Sequence, residues 1–410
     1  MNLNSPDFEG RDVSAIISWV ATQPEVQLDA ANDPRLGMVG ASYGGGIQLA
    51  TASIDHRIDA IVPTIAWNSL VDVLFPRDAV NSSWGTLLPS VLVLTLAREH
   101  PRILPVAIMG VLFGYAQQSD IDLVTDLGYQ EQIKDITAPT LLIQGTVDTL
   151  FTLDQADTVA RQLISAGTTT KVIWYCGGHG TCLSDHPRGD VVIDRTLDWL
   201  NRYVKGDETT DVGTQFEWVD QHGTWHHNDT YPAPTDTTPI VAGSRPEGTL
   251  PYVPFLGGSG PNWSILTREP IQVLLGLPSA AAAANAVNLN VPDAVESTRV
   301  VGAPTVTLTY SGTGTARHVY AQLVDDETGL VLGNQTTAIP VVLDGRTHTV
   351  TYSLEQVAHT LQPGQSVTVQ IVTSSVKFFN FYNWGTITVE EMAVQLPTLE
   401  TSIRSIVVAA

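Results

Sequence analysis

Two different patterns of hydrophobic and polar residues divide the chain. Over the first 210 residues, short apolar runs alternate with segments whose apolar residues recur every three or four positions, which predicts strands alternating with amphipathic helices. The predicted helices cover residues 9–23, 46–53, 153–166 and 189–204, and the predicted strands cover residues 35–39, 60–65, 140–144 and 171–175. Such alternation favours a parallel sheet with helices on its faces. The stretch from Trp67 to about Asp135 is mostly helical in pattern and interrupts the alternation as an insertion.

Past about residue 210, apolar and polar residues alternate with a period of two. The clearest predicted strands cover residues 305–310, 319–324, 349–352 and 367–372, with Gly and Asp residues typical of turns between them. An antiparallel β-sandwich or jelly roll has this pattern. We therefore predict two domains: an α/β domain over residues 1–210, with a helical insertion at about 68–134, and an all-β domain over residues 211–410. The alanine-rich patch Ala280–Ala286 is predicted to be a short helix or a loop within the second domain.

The charge of the chain narrows the classes of partner. There are 20 Lys and Arg residues against 42 Asp and Glu residues, a formal net charge of −22. Nucleic acids and anionic membranes bind basic surfaces, so the sequence predicts neither as a partner. No run approaches the roughly 18–20 uninterrupted apolar residues of a membrane span. The first residues have neither a basic segment nor an apolar one, so they show no secretion signal and leave the compartment open.

The cysteines and histidines give little support for a metal site. Cys176 and Cys182 stand six positions apart, and the sequence leaves open whether they form a disulfide in an exported protein or remain two buried thiols. His222, His226 and His227 cluster, but no carboxylate or cysteine accompanies them at ligand spacing. The sequence therefore predicts no metal and no organic cofactor.

The strongest local motif is Gly40-Ala-Ser42-Tyr-Gly44-Gly45, which lies between a predicted strand and a predicted helix. It matches the nucleophile elbow G-x-S-x-G, in which a sharp turn lifts a serine hydroxyl clear of the sheet. The glycines are expected to leave room for that turn. The amide N–H of Tyr43, at the start of the following helix, is then expected to face the oxyanion that forms when the serine attacks a carbonyl.

A serine hydroxyl needs a base, and the base needs a carboxylate to orient it. Asp148 follows the buried strand that ends in Gln144-Gly-Thr-Val, at the edge of the sheet where the sites of open α/β folds gather. His179, in Cys-Gly-Gly-His-Gly, follows the next strand. The order serine, acid, histidine is that of the α/β-hydrolases. Two rival residues are weaker candidates for these roles. Asp154 lies where a helix begins, and His186 lies further than His179 from the end of the preceding strand.

With these three motifs and the all-β half that follows them, the chain resembles the X-prolyl dipeptidyl-peptidase and cocaine esterase family of serine hydrolases. The resemblance covers nearly the whole chain and implies an α/β-hydrolase domain with a helical cap, followed by a C-terminal jelly roll. It implies that Ser42 is the nucleophile, Asp148 the orienting acid and His179 the general base. It also implies that the cap, at about 68–134, shapes the pocket for the acyl group.

The resemblance leaves the substrate open, because the family includes dipeptidyl peptidases, esterases and β-lactam acylases. We expect a small-molecule or short-peptide acyl substrate and favour an X-Pro dipeptidyl-peptidase-like activity, with a carboxylesterase or acylase as the alternative. An exopeptidase needs an acidic group for the substrate amine, and Asp120, Asp122 and Asp126 in the cap are the candidates. The apolar cap helices favour a hydrophobic acyl group equally well.

The sequence departs from the family pattern before the elbow. Several strands normally precede the nucleophile strand, whereas here one helix and a loop do so. In the family the second oxyanion donor is typically a tyrosine from an early strand's loop, and residues 1–34 hold no tyrosine. We therefore expect that the N-terminal part of the catalytic domain, and any secretion signal with it, is missing. A catalytically silent binding protein is the alternative of a different class.

Overall fold

The computed structural model of the chain describes residues 2–180, 182, 191–235, 238–253 and 281–399. Its helices are α1 (Arg11–Val20), α2 (Tyr43–Ala52), α3 (Leu70–Leu74), α4 (Ser82–Leu94), α5 (Ile103–Phe113), α6 (Gln118–Asp126), α7 (Leu153–Ala166) and α8 (Val191–Tyr203). The strands of the first part are β1 (Leu28–Ala30), β2 (Asp33–Pro34), β3 (Gly37–Ala41), β4 (Ala60–Thr64), β5 (Thr140–Gly145), β6 (Thr170–Tyr175), β7 (Phe216–Val219) and β8 (Trp225–Asn228). The later strands are β9 (Ile240–Ser244), β10 (Gly248–Tyr252), β11 (Val287–Asn290), β12 (Thr298–Gly302), β13 (Thr305–Gly314), β14 (His318–Asp325), β15 (Thr337–Pro340), β16 (His348–Ser353), β17 (Val357–Leu361), β18 (Val367–Val372) and β19 (Gly385–Leu396).

A six-stranded sheet organises the first part of the chain. Its order is β3-β4-β5-β6-β7-β8. The strands from β3 to β7 are parallel, and the last strand, β8, is antiparallel to β7. Alternate residues of the buried strands face opposite sides, so Ile61 and Leu142 pack in the core that includes α2 and α7. Ala60 and Leu141 face the other side, where they pack with Trp199 of α8. Burial on both faces explains why β4 and β5 are almost continuously apolar.

The nucleophile strand β3 is the edge strand of this sheet, with β4 as its hydrogen-bonded neighbour among the described strands. Its exposure alternates along the strand, and the side chain of Val39 is 54% exposed. The strand is Gly37–Ala41, two residues later than the pattern predicted, because the extended backbone continues directly into the elbow.

Helices α3 to α6 form the predicted insertion between β4 and β5, which we call the cap. Helices α4 and α5 of the cap are strongly apolar, and part of this apolar surface remains exposed: Leu94 at the end of α4 is 82% exposed, and Leu96 just after it is 88% exposed. Among the described residues, no helix has both the length and the apolar composition needed to cross a bilayer.

Antiparallel sheets make up the last part of the chain. One sheet has the order β10-β19-β13-β16, with β9 also on β19, a second has the order β11-β18-β14-β15, and β12 pairs with β17. Side chains from the first two sheets share one core, in which Leu308 and Val389 meet Leu323 and Ile371. This is the β-sandwich packing that the period-two pattern indicates. We call the region from β9 to β19 the β domain.

The predicted elements are largely present, with differences at their ends. The first predicted helix begins with a π-helical turn at Pro6–Gly10 before α1. The alanine-rich patch contains no helix over residues 281–286, so it is a loop there, and Ala280 lies outside the described residues. Strands β7 and β8 follow residue 210 and still extend the six-stranded sheet. The division into domains at 210/211 stays a prediction.

Candidate active site

Ser42 lies on a sharp turn between β3 and α2. Its φ of 55° and ψ of −119° are unusual for a residue with a side chain, the kind of backbone strain that occurs at functional sites. A Cβ atom on Gly40 would lie 2.8 Å from the carbonyl oxygen of Gly44, and one on Gly45 would lie 2.8 Å from that of Thr64. A Cβ atom on Gly44 would meet nothing within 4 Å. The turn therefore requires glycine at positions 40 and 45, whereas position 44 is not crowded.

Hydrogen bonds join the three residues that the motifs predict. Asp148 follows β5 and is completely buried, and its Oδ2 lies 2.8 Å from His179 Nδ1. His179 Nε2 lies 2.8 Å from the Oγ of Ser42. A carboxylate only accepts hydrogen bonds, so Nδ1 carries the proton and Nε2 is free to accept the hydroxyl proton of Ser42. The structure thus brings Ser42, His179 and Asp148 into one continuous chain of hydrogen bonds.

The carboxylate of Asp148 is held by its own loop. Its Oδ1 accepts the backbone N–H groups of Leu150 at 2.9 Å and Phe151 at 2.7 Å. Its Oδ2 also accepts the backbone N–H of His179 at 3.1 Å. With four hydrogen bonds, the buried carboxylate has its acceptor sites occupied, and its orientation towards the imidazole is fixed.

Two aromatic rings enclose the imidazole of His179. The ring of Phe151 lies 5.0 Å away and that of Trp84 lies 5.6 Å away, both nearly perpendicular to the imidazole. Trp84, in the cap helix α4, donates its Nε1–H to the Oγ1 of Thr149 at 3.2 Å. The carbonyl of Phe151 accepts a hydrogen bond from Gln144. Neither aromatic residue could be predicted from the sequence, because no motif joins them to His179.

Tyr43 lies in the first turn of α2, where backbone N–H groups have no acceptor within the helix. Its hydroxyl accepts the backbone N–H of Asn4 at 3.1 Å, and its carbonyl accepts the Nδ2–H of Asn4 at 2.7 Å. Burial and the nearby carboxylate of Glu9 raise the pKa of Tyr43 to about 12, so the phenol stays neutral. The role predicted for Tyr43 belongs to its backbone, which the helix holds beside Ser42.

The loop that carries His179 is closed by a disulfide between Cys176 and Cys182, whose Cα atoms lie 5.1 Å apart. Of the two states that the sequence left open, the structure has the bonded one. Gly178 has a φ of 120°, and a Cβ atom there would lie 2.6 Å from the Cβ of Asp148. Glycine at this position therefore lets the histidine loop approach the acid closely.

Of the two rival residues, Asp154 has partners outside this chain of hydrogen bonds. Both carboxylate oxygens of Asp154 accept hydrogen bonds from Gln356, at 3.1 and 3.2 Å. Burial, together with the neighbouring Glu355, raises the pKa of Asp154 well above its usual value. His186 falls outside the described residues. His226 pairs with Asp220 at 2.8 Å, and in the described part of the chain no group of three His, Cys, Asp or Glu residues is placed to hold a metal ion.

An apolar cavity of about 100 Å³ lies in the cap next to these residues. Its wall includes Leu74, Val80, Trp84, Leu88 and Val106, and Asn81 is the one polar residue among the described lining. Because Trp84 both lines the cavity and touches His179, the cavity adjoins the candidate active site.

The chain is similar to one known protein family and to several solved structures. The family model described as X-Pro dipeptidyl-peptidase (S15 family) matches residues 5–105, which include the elbow. An aminopeptidase from a marine sediment Thaumarchaeota archaeon is 14% identical, with a TM-score of 0.64 over 96% of this chain and 80% of that one. A CocE/NonD family hydrolase from Staphylococcus aureus is 12% identical, with a TM-score of 0.67 over 96% and 76%. An α-amino acid ester hydrolase is 13% identical, with a TM-score of 0.64 over 95% and 80%.

At these identities the solved structures show the fold: an α/β-hydrolase domain joined to a β domain. The predicted fold class is therefore confirmed. The matched family model and the shared fold also confirm the resemblance to the X-prolyl dipeptidyl-peptidase and cocaine esterase family.

Proposed function

We propose that this chain, an ester or amide hydrolase of the X-Pro dipeptidyl-peptidase and cocaine esterase type, is a serine hydrolase that works through an acyl-enzyme on Ser42. The observation that carries the proposal is the chain of hydrogen bonds from Ser42 through His179 to Asp148, with both side-chain distances at 2.8 Å. A binding protein without activity would not require a strained serine, an oriented imidazole and a buried carboxylate joined by hydrogen bonds.

In the proposed reaction, His179 Nε2 takes the hydroxyl proton as Ser42 Oγ attacks the carbonyl carbon of the substrate. Asp148 holds the imidazole in the correct tautomer and stabilises its cation. The backbone N–H of Tyr43 donates to the oxyanion. The imidazolium then protonates the leaving group as the tetrahedral intermediate collapses to the acyl-enzyme. The same imidazole then takes a proton from water as the water attacks the carbonyl of the acyl-enzyme, and the imidazolium gives this proton to Ser42 Oγ as the acid is released.

The family model supports an X-Pro dipeptidyl-peptidase-like substrate, whereas the cap cavity supports an ester or amide of an apolar acid. Two of the three cap carboxylates considered for a substrate amine have partners of their own. Asp120 pairs with Arg102 at 2.6 Å, and Asp122 accepts a hydrogen bond from Gln118 at 2.8 Å. The apolar lining next to His179 is therefore the specific observation that favours the esterase or acylase alternative.

Turnover of two substrate series tests these assignments: p-nitrophenyl esters with acyl chains of two to eight carbons, and X-Pro p-nitroanilides. If the cap cavity holds the acyl group, kcat/KM rises by up to about fourfold for each methylene buried, since each contributes about 0.8 kcal/mol. The rise stops when the cavity is full. Ser42→Ala is the control and is expected to hydrolyse neither series.

A flat ester series together with rapid cleavage of X-Pro anilides would reject the apolar acyl substrate and support the peptidase activity. If neither series is hydrolysed by the folded protein, the catalytic proposal itself is wrong.

A further inference from the structure

The β domain contacts the backbone of the loop that carries Asp148. The contact comes from the segment between β14 and β15, at residues 331–336, which are almost wholly buried. Two successive residues of this segment, Gly333 and Asn334, have left-handed φ values of 59° and 56°. A Cβ atom on Gly333 would lie 2.7 Å from the carbonyl oxygen of Thr146, so only glycine allows the segment to come this close to the acid loop.

Gln335 makes the direct contact with the acid. Its Nε2 donates a hydrogen bond to the backbone carbonyl oxygen of Asp148 at 2.6 Å, and its side chain is buried, as Asp148 is. The amide nitrogen has to face this carbonyl, because the amide oxygen is not a donor. Buried backbone carbonyls need partners, and here the partner comes from 187 residues further along the chain.

This bond differs from the others around Asp148. The N–H groups of Leu150, Phe151 and His179 hold the carboxylate, and all three belong to the two catalytic loops. Gln335 is the residue of the β domain that holds the main chain from which the carboxylate projects. The carboxylate reaches His179 at 2.8 Å only if that main chain is held in place.

We propose that Gln335 is a positioning residue for Asp148, through which the β domain completes the catalytic site. The inference rests on the proposed function, in which Asp148 orients His179. Without the Gln335 amide, the carbonyl of Asp148 loses its buried donor and the acid loop shifts to satisfy it. The Asp148–His179 contact then lengthens, and the imidazolium formed during the reaction is stabilised less.

The test compares Gln335→Met with Gln356→Met, using hydrolysis of a p-nitrophenyl ester. Methionine has nearly the shape of glutamine but donates no hydrogen bond. Gln356 is the matched control: it is a buried glutamine of the β domain that bonds to the α/β domain, but at Asp154 and not at the acid. Gln335→Leu is a second variant of the same position, and folding is followed by circular dichroism and thermal unfolding.

For Gln335→Met we expect kcat to fall by about tenfold or more with KM within about twofold, since small displacements of catalytic groups cost up to about 10²-fold. The low-pH limb of the kcat/KM profile moves to lower pH, because the imidazolium is less well stabilised. Gln356→Met keeps kcat within about twofold and leaves the pH profile unchanged, whatever it does to the melting temperature.

Equal kcat values and equal pH profiles for the two methionine variants would overturn the positioning role while the proposed function stands. Failure of both Gln335 variants to fold, with Gln356→Met folded, would make Gln335 a structural residue and also overturn the proposal. A folded wild-type protein that neither turns over esters nor reacts at Ser42 would refute the proposed function, and the role of Gln335 with it.

Discussion

At the scale of single residues, the position of His179 depends on covalent as well as hydrogen-bonded contacts. His179 lies inside the loop closed by Cys176 and Cys182, and its ring contacts Phe151 and Trp84. The closed loop is short, so the cross-link removes limited entropy from the unfolded chain, roughly 2 kcal/mol by the loop-entropy relation. Its larger effect is expected on the histidine that it surrounds.

Replacing both cysteines by serine tests this expectation. We expect kcat to fall by about tenfold, because the loop no longer holds the imidazole within hydrogen-bonding distance of Ser42 Oγ. The melting temperature should fall by only a few degrees, as roughly 2 kcal/mol does in a protein of this size. Ester hydrolysis and thermal unfolding of the double variant measure the two effects. A large loss of stability with unchanged kcat in the folded protein would show that the disulfide does not position His179.

The sequence predicted Ser42, Asp148 and His179, because each belongs to a short motif placed just after a strand, and the structure brings the three together. Their roles in catalysis stay a prediction. Trp84, Phe151 and Gln335 could not be found in this way. Their relation to the site depends on tertiary contacts between distant segments, and no local spacing records such contacts. The motif also does not show that position 45 is crowded and position 44 is not, because the crowding comes from the neighbouring strand β4.

At the scale of elements, the β domain also holds the cap helix α4. Arg77, in the turn before α4, donates hydrogen bonds to the carbonyls of Ala338 at 3.1 Å and Ser353 at 2.8 Å. Its own carbonyl lies 2.8 Å from the Nε2 of His318. At the start of α4, the Oγ of Ser82 accepts the backbone N–H of Phe379 at 2.6 Å. The helix that carries Trp84 is therefore fixed at its N-terminal end by the β domain.

Arg77→Ala is expected to loosen α4 and to act mainly on acyl-group binding. We expect KM for an eight-carbon ester to rise about fivefold or more, while kcat for the acetyl ester stays within about twofold, because the cavity deforms but the hydrogen bonds of Ser42 remain. Arg102→Ala is the control, since Arg102 is a cap arginine bonded to Ser119 and Asp120 of the cap itself. If both variants change KM and kcat for the two esters alike, the β domain does not shape the acyl cavity.

The order of helices and strands was predictable because the apolar period switches between two and about 3.6, and α7 and β18 match the predicted ranges residue for residue. The ends of the other elements were less predictable. They depend on features such as the elbow at Ser42, which places the end of β3 at Ala41 and the start of α2 at Tyr43. The pairing of β7 and β8 with the first sheet also depends on tertiary packing, here of Trp174, Phe216 and Tyr231.

At the scale of the whole molecule, the candidate site is built where three regions meet. The α/β domain supplies Ser42, Asp148 and His179, the cap supplies Trp84, and the β domain supplies Gln335. The β domain therefore contacts the site as well as covering apolar surface.

Labelling with a fluorophosphonate, which reacts with an activated serine hydroxyl, directly tests whether Ser42 is the nucleophile. We expect about one label per folded chain, found by mass spectrometry on the peptide that contains Ser42. Labelling should vanish in Ser42→Ala and slow strongly in His179→Ala, because the base that activates the hydroxyl is lost. Folded wild-type protein that fails to react, or labelling that persists unchanged in Ser42→Ala, would contradict the assignment of Ser42 as the nucleophile.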